Sequence, residues 1–509
     1  MRTPLLVFLL PLLVAGFWDD SGEDVIPKNI VENYIKSNAN WSVDPCDDFY
    51  AHVCPSTSKG RFLFNLVTMR QDIIQDFKNK NPNLNYFEDQ DATKNNGEVL
   101  LQLFKSGELR DLCIYPKYEA VLTSLARQSN VVTDDSKFDE FHQMTCEEKV
   151  EHLKENDLVA KSIYTAARYN LIMAYDTYIV NKAIDDSDVK IRVLFEKLRK
   201  GVLKAIKKTP WAKNNHSVKL FLEAIQNIVF TTFADMRNAT EAALSQYITS
   251  NSDCQERLHD FMDSHQITAI CDAIATGRAQ RILSAPNDKI HKGDFGDIIA
   301  DHLQAFNSKD NRVYITNDFM LLMNTDLPSD LYGSIGYSLA HEIMHTIVFD
   351  ERDEEKPLRP LWTKQAGCVQ EQFSKTCATF PTMPCDSPET SFEEDSADLA
   401  AYRIVYDLYQ KAYRRKEVVP NYESLNKKQL FFYGTAAVFC DPRGMIPTLS
   451  RGQHNNGYQR LNSLMSQMEA FSDAFKCKPT DKMIKNKARH CELYGRSAPM
   501  TRKNNDNGF

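Results

Sequence analysis

The stretch "SIGYSLAHEIMHTIVFD", residues 334–350, carries two histidines four apart with a glutamate directly after the first. On a helix turning about 100° per residue, His341 and His345 stand about 40° apart on one face, where two imidazoles can converge on one ion. Glu342 points about 100° round from His341, within reach of a water held by such an ion but outside its ligand set. Ile335, Leu339, Ile343 and Ile347 form a separate i, i+4 row. The segment therefore has an apolar side to bury and a reactive side to turn toward a cleft. An ordinary amphipathic helix with surface histidines fits the same five residues, and catalytic zinc asks for three protein ligands with one position open.

A third ligand is available in "SFEEDSADLAAYRIVYDLY", where Glu394 and Asp398 stand four apart and project from one helix face. Glu394 completes a two-histidine, one-carboxylate set. Asp398 can accept the N–H of a ligand histidine, which fixes the tautomer and raises the basicity of the ring. A solvated acidic helix start explains Glu393, Glu394 and Asp395. It gives no reason for Asp398 among Ala397, Leu399 and Ala400. The expected cofactor is one zinc ion per chain.

The elements that must hold these groups follow from the pattern around them. "NRVYITN" from residue 311 alternates as a short strand, and helical stretches are expected over 334–348, 392–415 and 458–475. Between Gly60 and about Ala300 most segments read as helical. "IRVLF" at 191–195 is a strand-like exception, and Val218, Leu222, Ile225 and Val229 keep helical spacing. The asparagine-rich runs "KNKNPNLNY" and "TKNNGE", between 78 and 98, read as loops. With 509 residues, the chain exceeds what one core usually organises, so two lobes are expected. A formal charge of −8 without a sustained basic block argues against a nucleic-acid partner.

The amino terminus, "MRTPLLVFLLPLLVAGFWDD", has Arg2, a short apolar run and small residues at Ala15 and Gly16, the pattern of a signal peptide over 1–16. The run falls well short of a spanning helix, so a secreted, extracellular protein without a transmembrane anchor is expected. In an oxidising compartment the twelve cysteines read as up to six disulfides. The sequons at Asn40, Asn215 and Asn238 are then candidate glycosylation sites.

HExxH followed some fifty residues later by E-x-x-A-D resembles the neprilysin family of zinc endopeptidases, within the gluzincin group. "PCDDFYAHVC" resembles that family's amino-terminal cysteine signature. "QLFFYGTAAVFC" and "FSDAFKC" resemble its late segments, and "CELY" its terminal C-x-x-W. The resemblance implies a mainly α fold with a small β component. It implies a two-lobed zincin-type metalloprotease, with a catalytic lobe built from the N-terminal strip plus the C-terminal part and a reduced helical covering lobe. The expected divisions are 17–75 for the strip, 76–270 for the covering lobe, 271–494 for the zinc catalytic domain and 495–509 for a flexible tail.

"HNNGYQR" is similar to the family's H-x-x-G-x-x-R, which gives His454 the part of transition-state stabiliser and Arg460 that of substrate holder. "NRVY" at 311–314 resembles its N-A-x-Y edge strand, which pairs with extended peptide, and so implies that Asn311 binds substrate. By the same resemblance the metal ligands are His341, His345 and Glu394, with Glu342 as general base and Asp398 behind a ligand histidine. The implied pairings are Cys46–Cys477, Cys54–Cys440, Cys113–Cys271 and Cys368–Cys491, which leaves Cys146–Cys254 and Cys377–Cys385 by elimination. The expected activity is hydrolysis of bonds in peptides by a zinc-activated water. The alternative is a catalytically silent relative that binds peptides or a receptor. Departures include Tyr337 and Ser338 before His341, Phe439 before Cys440, Gly452 before His454, Phe349-Asp350 set late, and a short stretch ahead of Asn311.

Overall fold

Segments with a 3.6-residue apolar period dominate the chain, and the computed structural model is correspondingly helical, with three short strands among the described residues. The structure describes residues 26–54, 62–80, 90–106, 109, 113, 141, 143–210, 218–259, 263–285, 305–308, 311–348, 359–380, 391–412, 425–440, 454–491 and 493–495. The expected signal peptide, Asn215, Cys385, Gly452 and Phe349-Asp350 lie outside them.

Backbone contacts divide the chain into two units. One contains residues 72–183 and 233–301; the other contains 25–71, 184–232 and 302–509. Residues 184–232, inside the 76–270 stretch, thus group with the unit that holds the chemistry.

The first unit packs helices Gln90–Ser106, Asp157–Ala183, Arg237–Leu258 and Ser264–Leu283 around Leu103, Phe104, Leu153, Ile270 and Ile274. The run "TKNNGE", expected as a loop, lies inside the first of these helices. Two tertiary contacts offset its poor propensity: Asn96 Nδ2 donates to buried Asp272 at 3.4 Å, and Gly97 sits against Thr165 and Lys161 of the next helix. The pairing Cys113–Cys271 is corrected to Cys113–Cys146 and Cys254–Cys271, and Cys146–Cys254 falls with it. The reason is local. Helices Arg237–Leu258 and Ser264–Leu283 pack side by side after a short connection, which brings the Cα atoms of Cys254 and Cys271 to 5.4 Å.

In the second unit, β1 (Val229–Thr231), β2 (Ala305–Ser308) and β3 (Arg312–Ile315) form one sheet in the order β1-β3-β2. β3 runs parallel to β1 and antiparallel to β2, with Phe230 and Phe306 both opposite Val313 or Tyr314. The helix through Val218 stops at Gln226, so Val229 belongs to a strand and not to that helix. "IRVLF" is helical, within Asp185–Lys208. The expected 458–475 helix is two, Gly457–Ser466 and Glu469–Phe475.

The core of this unit is aromatic. Phe49, Phe431, Phe432, Tyr433, Phe471 and Phe475 contact one another through edge and tilted ring pairs. His52 joins the amino-terminal strip to it, with one ring nitrogen 2.7 Å from the Tyr433 hydroxyl and the other 2.7 Å from the Val43 carbonyl. Disulfides Cys46–Cys477, Cys54–Cys440 and Cys368–Cys491 tie residues 431, 386 and 123 positions apart. Cys377 is disulfide-bonded as well. Among the described residues no helix is long and apolar enough to cross a membrane.

Candidate metal centre

The helix Tyr337–His345 emerges from a wider π turn over Tyr332–Gly336, a form often found near functional groups. Ile335, Leu339, Ile343 and Ile347 are fully buried, so the apolar row fixes the rotation of the helix. Gly333 permits the close approach beneath it: a Cβ there would stand 2.3 Å from the Phe431 carbonyl oxygen. Opposite lies the helix Phe392–Ala412, whose Glu394, Asp395 and Asp398 are all buried.

These two helices bring three donors together. His341 Nε2 is 3.0 Å from His345 Nε2 and 3.1 Å from Glu394 Oε2, and His345 Nε2 is 3.5 Å from Glu394 Oε1. An ion bonded at about 2.0–2.1 Å in tetrahedral geometry separates its ligands by roughly 3.3 Å. The donor types and their spacing thus fit zinc. The one other group of three potential ligands among the described residues contains Cys46 and Cys477, whose sulfurs are joined in a disulfide.

Around the donors stands a polar shell. Asp398 Oδ1 lies 2.8 Å from His341 Nδ1, and the Asp398 carboxylate receives a fork from Arg460, Nε to Oδ2 at 2.7 Å and Nη2 to Oδ1 at 2.8 Å. The Tyr337 hydroxyl donates to the same Oδ1. His345 Nδ1 faces Glu393 Oε1 at 3.3 Å. His454 Nε2 reaches Glu394 Oε2 at 3.0 Å. Its neighbour Asn455 is anchored to buried Asp395 by a 2.7 Å hydrogen bond, and Asn456 caps the helix Gly457–Ser466. Gly457 lets that helix start against the previous segment, since a Cβ there would meet the Phe439 carbonyl oxygen at 2.1 Å.

The protonation balance of the metal-free site follows from this shell. Burial disfavours the His341 cation, but the Asp398 charge and its contacts outweigh burial and push the imidazole up to about 8. His345 is raised well above its ordinary value for the same reason, with Glu394 as the partner. Burial would raise Asp398, yet the Arg460 guanidinium and His341 hold it below the usual carboxylate range. Glu342 is raised, chiefly by burial, against the pull of both imidazoles. A cation therefore has to displace protons from two histidines to enter.

The other expected residues are placed as follows. β3 is the central strand, with β1 on one side and β2 on the other, so the expectation that 311–314 forms a free edge is corrected. Asn311 enters β3 with φ 59°, a left-handed conformation that asparagine tolerates, and its amide donates to the Ala224 carbonyl at 2.7 Å. Among the described residues, the strand with a single neighbour on the site's side is β2. Its Asn307 amide donates to the Glu342 carbonyl at 2.8 Å, which ties the edge to the histidine helix. Alternation in "NRVYITN" marked a strand but could not tell which strand had a free side. Arg460 is committed to Asp398 and lies 5.0 Å over the Phe439 ring. Asn40 is exposed, with the Ser42 hydroxyl donating to its side-chain oxygen at 2.7 Å. Asn238 is exposed in the first turn of a helix that buries Thr240.

Comparison with known proteins agrees with this geometry. Residues 311–491 match the model of Peptidase family M13. Endothelin-converting enzyme 1 of Cavia porcellus is 28% identical over 181 residues, 32% of this chain and 23% of that protein. Neprilysin-1 of Caenorhabditis elegans is 26% identical over 181 residues, 32% of this chain and 24% of that protein. The aligned part thus spans under a quarter of these curated relatives. Among solved structures, the Haemonchus galactose containing glycoprotein complex shares the fold with a TM-score of 0.53 at 14% identity, covering 89% of this chain and 96% of that one.

Proposed function

Starting from the peptidase family M13 domain that makes this chain a member of the neprilysin family, we propose that it is a secreted zinc-dependent endopeptidase acting on peptides. The observation that carries this is the convergence of His341, His345 and Glu394 at 3.0–3.5 Å with Glu342 and His454 beside them. His341, His345 and Glu394 would hold the ion. Zinc bound there supplies Lewis acidity, lowering the pKa of water toward about 7 and polarising the scissile carbonyl.

Glu342 then accepts the proton of the attacking water and passes it to the leaving amine, work typically worth about 10²–10⁴-fold. His454 donates to the oxyanion as the carbonyl becomes tetrahedral, a contribution of roughly 3–4 kcal/mol for a well-aimed donor. Asn455, held by Asp395, keeps His454 in register. The peptide adds as an extended strand along β2, so main-chain hydrogen bonds carry affinity whatever its sequence. Arg460 contributes mainly through Asp398.

The disulfide-rich unit suits an oxidising, extracellular setting. The test is cleavage of a quenched peptide by the purified full chain, with and without a chelator, beside Glu342→Gln. Cleavage is expected to stop with chelator and to return with zinc, and E342Q is expected to bind zinc without cleaving. Undiminished cleavage by E342Q removes the mechanism. Zinc binding by wild type without cleavage of any peptide favours a silent, peptide-binding relative.

A further inference from the structure

One oxygen behind the metal centre has more donors than it can serve. Asp398 Oδ1 lies 2.8 Å from His341 Nδ1 and 2.8 Å from Arg460 Nη2, and it also accepts the Tyr337 hydroxyl. A carboxylate oxygen offers about two lone-pair directions, so three donors cannot all align. The histidine loses the competition: its Nδ1 is buried and close to Oδ1 yet makes no well-aligned hydrogen bond. Tyr337 sits one turn before His341 on the same helix and is 2% exposed. Its ring is locked edge-on to Tyr402 at 5.5 Å and against Phe439 at 5.6 Å, so the hydroxyl has no freedom to withdraw.

We propose that Tyr337 is a positioning residue of the metal centre: it occupies the Asp398 lone pair that would otherwise serve His341, and so keeps His341 a weaker donor to zinc. This rests on the zinc assignment above. An outer carboxylate raises the basicity of a ligand imidazole through an aligned N–H···O bond. A rival donor on that oxygen lowers it. The site gives up some zinc affinity, and the ion keeps more of its electrophilic character for the carbonyl.

The test uses the full chain, stripped of metal and titrated with zinc against a chromophoric chelator. Tyr337→Phe keeps the ring packing and releases Oδ1 to His341. Zinc is expected to bind about 10-fold more tightly, the low end of the 10–100-fold that such outer partners are worth. The visible spectrum of the cobalt-substituted protein is expected to shift between wild type and Y337F. A purely structural hydroxyl would lower the melting temperature of the metal-free protein and leave zinc affinity and the cobalt spectrum unchanged. That result, or weaker zinc binding by Y337F, overturns the proposal while leaving the metal assignment intact. Failure of the wild type to bind zinc overturns both.

Discussion

Asparagine in place of Asp398 removes one negative charge and almost no volume, and the structure says what that charge does. The carboxylate is fully buried and faces an Arg460 fork at 2.7 and 2.8 Å, with the Arg460 side chain only 14% exposed. Removing one member of a buried pair strands the other, at a cost of about 3–5 kcal/mol. His341 simultaneously loses the carboxylate beside its Nδ1; with that bond already weakened by Tyr337, zinc affinity is expected to fall about 10-fold, the low end for such outer partners, or roughly 1.4 kcal/mol. The two losses separate by assay. Urea denaturation of the metal-free protein, followed by near-ultraviolet signals of the aromatic core, reports the first. Chelator competition reports the second. Adding Arg460→Met to D398N removes the stranded cation, so the double variant is expected to recover most of the stability and none of the zinc affinity. A D398N protein as stable as wild type, or a double variant no more stable than D398N, would refute the reasoning.

Three further outcomes follow from the same geometry. His341 is raised to about 8 in the metal-free fold from an unfolded value near 6.5, so its contribution to stability is complete below about pH 6.5 and disappears as pH rises through about 8. Melting of the metal-free protein between pH 6 and 9 should show this loss, and His341→Asn should reduce it, with His345, raised in the same way, keeping part of it. Zinc affinity is expected to run the other way, falling as pH drops below about 8, where His341 takes up a proton, with the raised His345 adding to the competition. Gly457→Ala drives a Cβ into the Phe439 carbonyl and shifts the start of the helix that follows His454. It should lower kcat and melting temperature more than zinc affinity, since the three ligands sit on other helices and this helix reaches them only through Arg460 and Asp398.

The histidine helix was legible because its information is local: a 3.6-residue period sets four isoleucine and leucine side chains on one side and two histidines on another, and that row is fully buried, although His341 is buried as well. Glu394 and Asp398 were legible for the same reason. What sequence spacing could not carry was the identity of non-local neighbours. β3 reads as a strand, but its position between β1 and β2 depends on residues more than eighty positions upstream, through the Val229–Arg312 register. Cys113 could not choose between Cys146 and Cys271 from spacing, since that choice is made by how two helices pack. Asn455 and Asp395 are sixty residues apart and carry no motif of their own. Tyr337 stood out as a departure from the family pattern, but only coordinates reveal the oxygen for which it competes.

The central claim is that three side chains from two helices bind a single ion, and metal content tests it most directly. Full-length wild-type protein, loaded with zinc and dialysed, is expected to retain one zinc per chain by elemental analysis. Glu394→Ala is expected to retain none while keeping its helical circular dichroism. Zinc held at full stoichiometry by that variant, or absent from the wild type, would contradict the account.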